Sequence, residues 1–103
     1  MFKLLKGTSA PSIFAKGLNQ YKQGNFSNAK QLISTAGTWM PDLENDDLFN
    51  AVSLLIEVKT GSDVDIFRCQ EALASLNAAP CKDSGDFPII RGDLEKVITE
   101  DEP

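Results

Sequence analysis

Apolar residues recur at helical spacing along most of this chain. In residues 13–22, Ile13, Phe14, Leu18 and Tyr21 fall at steps of one, four and three, which puts them on one stripe of a helix. Ser9 and Pro11 lead that helix in, and Gly24 offers the left-handed conformation that ends it. Phe26, Ala29, Leu32, Ile33 and Ala36 repeat the spacing in a second helix, which Asn25 or Ser27 can cap and which stops at Pro41. In the third segment Leu48, Phe49, Ala51, Val52, Leu54, Leu55, Ile56 and Val58 leave only a narrow polar stripe of Asn50, Ser53, Glu57 and Thr60. A helix apolar around most of its circumference is surrounded by others, so the spacing predicts a central helix here. The run DLENDD before it places four acids at its positive end.

Gly61 ends the third helix, and Ser62, Asp63 and Asp65 offer caps for a fourth. Its inner face is Ile66, Cys69, Leu73 and Leu76, and Pro80 closes it. Beyond a polar loop at 81–86, Phe87, Ile90, Leu94, Val97 and Ile98 fit a fifth helix over 87–99, with Pro88 tolerated in its first turn. Gly92 in its middle costs up to about 1 kcal/mol relative to alanine, and an extended FPII followed by a short helix is the rival. Residues 100–103 are expected to fray. No segment alternates as a strand would, so the expected fold is all-α. It has about five helices in antiparallel hairpins, and residues 1–103 make one helical domain of near-modal size.

The turn YKQGNFSNAKQL (residues 21–32) joins the first two helices. Antiparallel helices pack closely only where something small sits at the crossing. Gly17 and Ala29 lie on either side of the Gly24 turn, Phe26 can fold back over the base, and Ala36 offers a small contact to the next helix. These positions resemble the tetratricopeptide repeat. Gly17, Gly24, Phe26, Ala29, Ala36 and Pro41 fall where that family has its glycines, aromatic, alanines and closing proline, with Ile33 standing for the aromatic between the alanines. Ile13, Lys16 and Gln20 depart from its tryptophan, leucine and tyrosine. The resemblance covers residues 10–43; the hairpin at 46–79 is a degenerate second repeat and 87–99 a capping helix. It implies a scaffold for protein–protein contact, with a right-handed superhelical stack and a groove lined by the first helix of each hairpin; the alternative is a small, unrelated five-helix bundle that meets the same packing need. That groove would expose some of Phe14, Leu18, Tyr21 and Lys22, then Asn50, Ser53 and Glu57. The alternative for Phe14, Leu18 and Tyr21 is plain core.

Charge sharpens the picture. Residues 1–41 hold five lysines and no acid, whereas residues 42–103 hold all fifteen acids against five bases. The acidic half disfavours duplex nucleic acid, whose binding depends on neutralising phosphates, and favours a protein with a basic surface. Asp42, Glu44, Asp46 and Asp47, with Asp63 and Asp65 from the next loop, are the leading contact candidates, joined by Tyr21, Lys22 and Glu57 from the repeat groove. The chain contains no histidine, which removes the usual general base; no catalytic residue, metal ligand or cofactor is assigned. DLENDD lacks the glycine and closing glutamate of a calcium loop. Cys69 and Cys81 read as two reduced thiols rather than a disulfide. No apolar run is long enough to cross a bilayer and MFKLLKG lacks the features of a secretory signal, so a cytoplasmic location is expected. Taken together the residues point to a small acidic immunity protein for a basic bacterial toxin such as a nuclease, or to a secretion chaperone. The alternative is a self-associating scaffold subunit, a homodimer in its simplest form.

Overall fold

A computed structural model describes residues 9–61, 63–80, 83 and 85–101. Ser62, Cys81 and the lysines at positions 3 and 6 lie outside those residues. The chain forms α1 (Ala10–Lys22), α2 (Phe26–Trp39), a 3-10 turn (Pro41–Asn45), α3 (Asp47–Lys59), α4 (Ile66–Ala78) and α5 (Phe87–Asp101). No strand occurs among the described residues, and the fold is all-α, as the spacing predicts.

Local chemistry sets the helix ends. Ser9 Oγ accepts from the Ser12 N–H at 3.3 Å, and Pro11 occupies the first turn of α1. At the other end the Gly24 N–H donates to the Tyr21 carbonyl at 3.0 Å and the Asn25 N–H to the Gln20 carbonyl at 2.9 Å. That pair of bonds requires a left-handed residue, and Gly24 supplies it with φ of +86°. The acidic run behaves differently from expectation. Asp42 and Glu44 belong to the 3-10 turn, which buries Leu43, and only Asp46 and Asp47 stand at the start of α3. Asp46 Oδ1 accepts from the Phe49 N–H at 2.9 Å, so two of the four acids, not all four, stand at the start of the helix.

Glycine decides how closely the first elements pack. A Cβ on Gly17 would lie 2.7 Å from Ile33 Cδ1 and 3.3 Å from Leu32 Cβ. The small residue of α1 therefore meets Ile33, while Ala29, its expected counterpart, is fully buried nearby on α2. Gly37 plays the same part toward α3, since a Cβ there would lie 2.9 Å from Phe49 Cζ. Phe49 also meets the Phe14 ring at 5.5 Å between centroids, so one aromatic of α3 is held by both helices of the first hairpin. From that anchor α3 buries Leu48, Phe49, Ala51, Val52, Leu54, Leu55 and Ile56. Cys69 and Leu76 of α4 join the same core, with Ile66 and Leu73 half-buried beside it.

The fifth segment is helical from Phe87, with Pro88 in its first turn and Ile90 and Leu94 fully buried, and it runs on to Asp101. The extended alternative for 87–90 is thereby replaced by helix; of the residues expected to fray, Glu100 and Asp101 are helical, and residues 102–103 lie outside the described residues. The Tyr21 hydroxyl donates to Asp93 Oδ2 at 2.7 Å, and Lys22 Nζ pairs with Asp86 Oδ1 at 2.9 Å. No Cα of α1 lies within 8 Å of α5, so side chains alone bridge them. The first turns of α5 thus sit beside the last turns of α1 and α3, where Tyr21, Lys59, Ile89 and Asp93 line one depression. A further repeat in a stack of hairpins would start at the opposite end, beside the start of α3. Helix α5 closes the array instead of extending it.

Two outcomes follow from this packing. Gly17→Val should destabilise the fold by about 1–3 kcal/mol through overpacking against Ile33, read in urea unfolding from the fluorescence of Trp39, the single tryptophan. The second concerns Tyr21, whose phenol is pushed well above the usual tyrosine range by burial first and by the Asp93 bond and charge next. A raised folded value means stability that is complete below the unfolded pKa of about 10 and lost as pH climbs beyond it. Tyr21→Phe should therefore cost about 1.5 kcal/mol at pH 7, and the gap between the two proteins should narrow steadily in unfolding curves taken above pH 10.

Candidate functional site

The polar stripe of α3 is the starting point. Helices α2 and α4 both pack on α3, yet among the described residues their Cα atoms do not come within 8 Å of each other. The edge of α3 that carries Asn50, Ser53 and Glu57 is left open between them, with Asn50 exposed and the other two half-buried. The result is a shallow trough with α3 as its floor. On the α2 side a depression of about 590 Å³ is lined by Ser34, Gly37, Thr38 and Pro41 against Phe49, Asn50 and Ser53. A second of about 240 Å³ continues it past Lys30 to Ile56 and Glu57. On the α4 side Asn50, Ser53 and Glu57 face Arg68, Glu71 and Ser75 across about 280 Å³.

The lining is mixed. Hydroxyls and an amide line the edge of α3, with Ile33, Phe49 and Ile56 beneath. Lys30 and Arg68 stand on opposite walls near Glu57, and the ion pairs among the described residues, Lys22–Asp86 and Arg91–Asp83, include neither. Such a surface can hydrogen-bond an extended backbone and meet side chains of either charge.

The sequence-predicted contact residues fall into separate groups. Asp46 and Asp47 are exposed four and three residues ahead of Asn50, on the same face of α3 at one end of the trough. Asp42 follows Pro41, which lines that end, and Glu44 lies in the same 3-10 turn. Asp63 and Asp65 lie past the other end of α3, about 18 Å along the axis at 1.5 Å per residue. There Asp65 Oδ1 caps α4 by accepting from the Phe67 N–H at 2.9 Å. Glu57 lies in the trough. Tyr21 and Lys22 are on the far side of α3, the first buried and bonded to Asp93, the second paired with Asp86.

A groove along the first helices of the hairpins, which the repeat resemblance implies, is not the geometry found. Leu18 and Tyr21 are buried and Phe14 is half-buried against Phe49. The physical reason is α5, which covers α3 from the α1 side and leaves its polar edge to the gap between α2 and α4. Sequence reasoning missed Lys30, Ser34 and Thr38, although their spacing of four marks one polar face of α2. It also missed Arg68, Glu71 and Ser75 on α4, and Asp86 and Asp93, whose partners lie 64 and 72 residues away.

Among the described residues, no three of His, Cys, Asp and Glu come together in a way that would hold a metal ion. None of the helices there is long and apolar enough to cross a membrane, and Cys69 is a buried thiol of the core. Compared with known proteins, the chain matches no protein family, no curated protein and no solved structure.

Proposed function

We propose that this chain is a non-catalytic protein-binding module, two tetratricopeptide-like hairpins closed by α5, and that it holds a segment of a partner protein along the trough over α3. One observation carries this reading: the helix with the most apolar circumference keeps a polar edge, and the two helices that could meet over it stay apart. An uncovered edge that is only solvated needs no walls; this one has Ser34 and Thr38 on one side and Arg68 and Ser75 on the other.

Charge then selects the partner. Asp42, Asp46 and Asp47 cluster at one end of the trough with Glu57 and Glu71 further along, against Lys30 and Arg68. A basic protein surface suits that balance, and steering by it gives fast association that weakens with salt. A mixed, polar lining supports an immunity or inhibitor protein for a basic bacterial toxin, such as a nuclease, over a secretion chaperone, which would use an apolar groove. A self-associating subunit is the competing outcome.

The test is capture of partners from host cells by the tagged chain and by its Ser53→Arg and Asp47→Lys variants. A single stoichiometric partner, held at low salt, released at high salt and lost with Ser53→Arg, is the expected result, with slower association for Asp47→Lys. Retention of the partner by both variants would place its contact elsewhere, and capture of nothing but the chain itself would favour self-association.

A further inference from the structure

Ser53 is the one residue that lines all three depressions along the trough. It is half-buried, and its hydroxyl makes no hydrogen bond to any described residue. A hydroxyl inside a helix commonly turns back to the carbonyl four residues earlier, as Thr35, Thr38 and Thr60 do to Gln31, Ser34 and Ile56 at 2.8, 3.0 and 2.8 Å. The Ser34 and Ser75 hydroxyls, on the facing walls of α2 and α4, also bond to no described residue. Three helices therefore bring hydroxyls to one trough with donor and acceptor capacity left for a ligand.

Charge is uneven along the same line. At the start of α3, Asp42, Asp46 and Asp47 stand at an end whose lining residues include no lysine or arginine. Toward Glu57, Lys30 on one wall and Arg68 on the other face Glu57 and Glu71, so the charges there balance. A ligand lying along α3 thus meets net negative charge at one end only.

Resting on the trough reading above, we propose that the occupant is a short extended segment of the partner, recognised through its main chain, with one arginine or lysine at the end that lies over Asp42 and Asp47. An amphipathic helix does not suit the lining. Its backbone groups are already paired, and its apolar face would bury Ser53 and Glu57 without partners. An extended segment carries unpaired N–H and C=O groups, and the serine hydroxyls can accept from the first and donate to the second. Length agrees. Asn50 to Glu57 spans about 10 Å at 1.5 Å per residue, matched by about three extended residues at 3.3 Å each. Because most of the grip is on the main chain, side chains are read at the basic end, and the middle of the segment is tolerated broadly.

The probe is the acetylated and amidated peptide Arg-Thr-Val-Thr-Val, titrated into the full isotope-labelled chain and followed by its amide resonances. Saturable shifts at Ser34, Ser53 and Ser75 are expected. Ser53→Ala should weaken the peptide about two- to tenfold, the range for one hydrogen bond. Asp42→Asn with Asp47→Asn should weaken it about two- to fivefold, and should leave unchanged a peptide with alanine in place of the arginine. N-methylation of every residue after the arginine should abolish binding, because it removes the main-chain donors. The proposal is overturned if no saturable shifts occur, if the N-methylated peptide binds as well as its parent, or if glutamate in place of the arginine costs nothing. A natural partner that is lost with Ser53→Arg but lies in the trough as an amphipathic helix overturns this inference alone. Retention of the partner by Ser53→Arg overturns the trough reading itself.

Discussion

Helix α3 has more apolar surface than one neighbour can cover, and the rest of the molecule is arranged around that constraint. Seven of its thirteen residues are buried. Removing them from water at about 25 cal/mol per Å² is the dominant favourable contribution to folding, and it is complete only when several helices surround α3. The first hairpin supplies one side through Phe14, Ile33 and Gly37, which close on Phe49. Helix α4 supplies another with Cys69 and Leu76. Two hairpins alone would leave the α1 side of α3 and the end of the array bare, and α5 covers it.

The polar ties that set α5 in place are secondary in energy and primary in geometry. Lys22 and Asp86 each keep about a third of their side-chain surface in water, so their pair is worth at most about 1 kcal/mol after screening. The Tyr21–Asp93 bond is shorter and better shielded, and a hydrogen bond to a charged group contributes about 1.5–3 kcal/mol. Neither competes with the burial of Ile90 and Leu94. Together they choose which end of α5 meets the end of α1, and hence that the fifth helix closes the array. They also give part of the chain's charge segregation an internal use, because Lys22 of the acid-free half is matched by Asp86 of the acidic half.

Most of the fold is legible in the sequence because helix boundaries and inner faces are local properties. Gly24, Pro41, Gly61 and Pro80 mark the ends, and the central position of α3 follows from its near-continuous apolar run. The capping aspartates were readable as residue types, though the chain uses Asp46 and Asp65 and leaves Asp42 to a 3-10 turn that the run DLENDD does not announce. What escaped is the pairing of distant positions. Nothing near Tyr21 predicts Asp93, and nothing near Gly17 says that Ile33 rather than Ala29 will face it. The trough shares that limit. Its floor was visible as the polar stripe Asn50, Ser53 and Glu57, but its walls depend on α2 and α4 staying apart. That separation comes from the whole packing and not from any segment.

A lysine scan of α3 from Leu48 to Val58, with the thermal midpoint of each variant as readout, tests this account most directly. Tolerance should be confined to Asn50, Ser53 and Glu57, with lysine at Val52, Leu55 or Ile56 unfolding the chain, because a buried unpaired ammonium is far costlier than an exposed one. A second tolerated stripe running through Val52 and Leu55 would contradict it, since it would mean that the side of the central helix away from the trough is open to water.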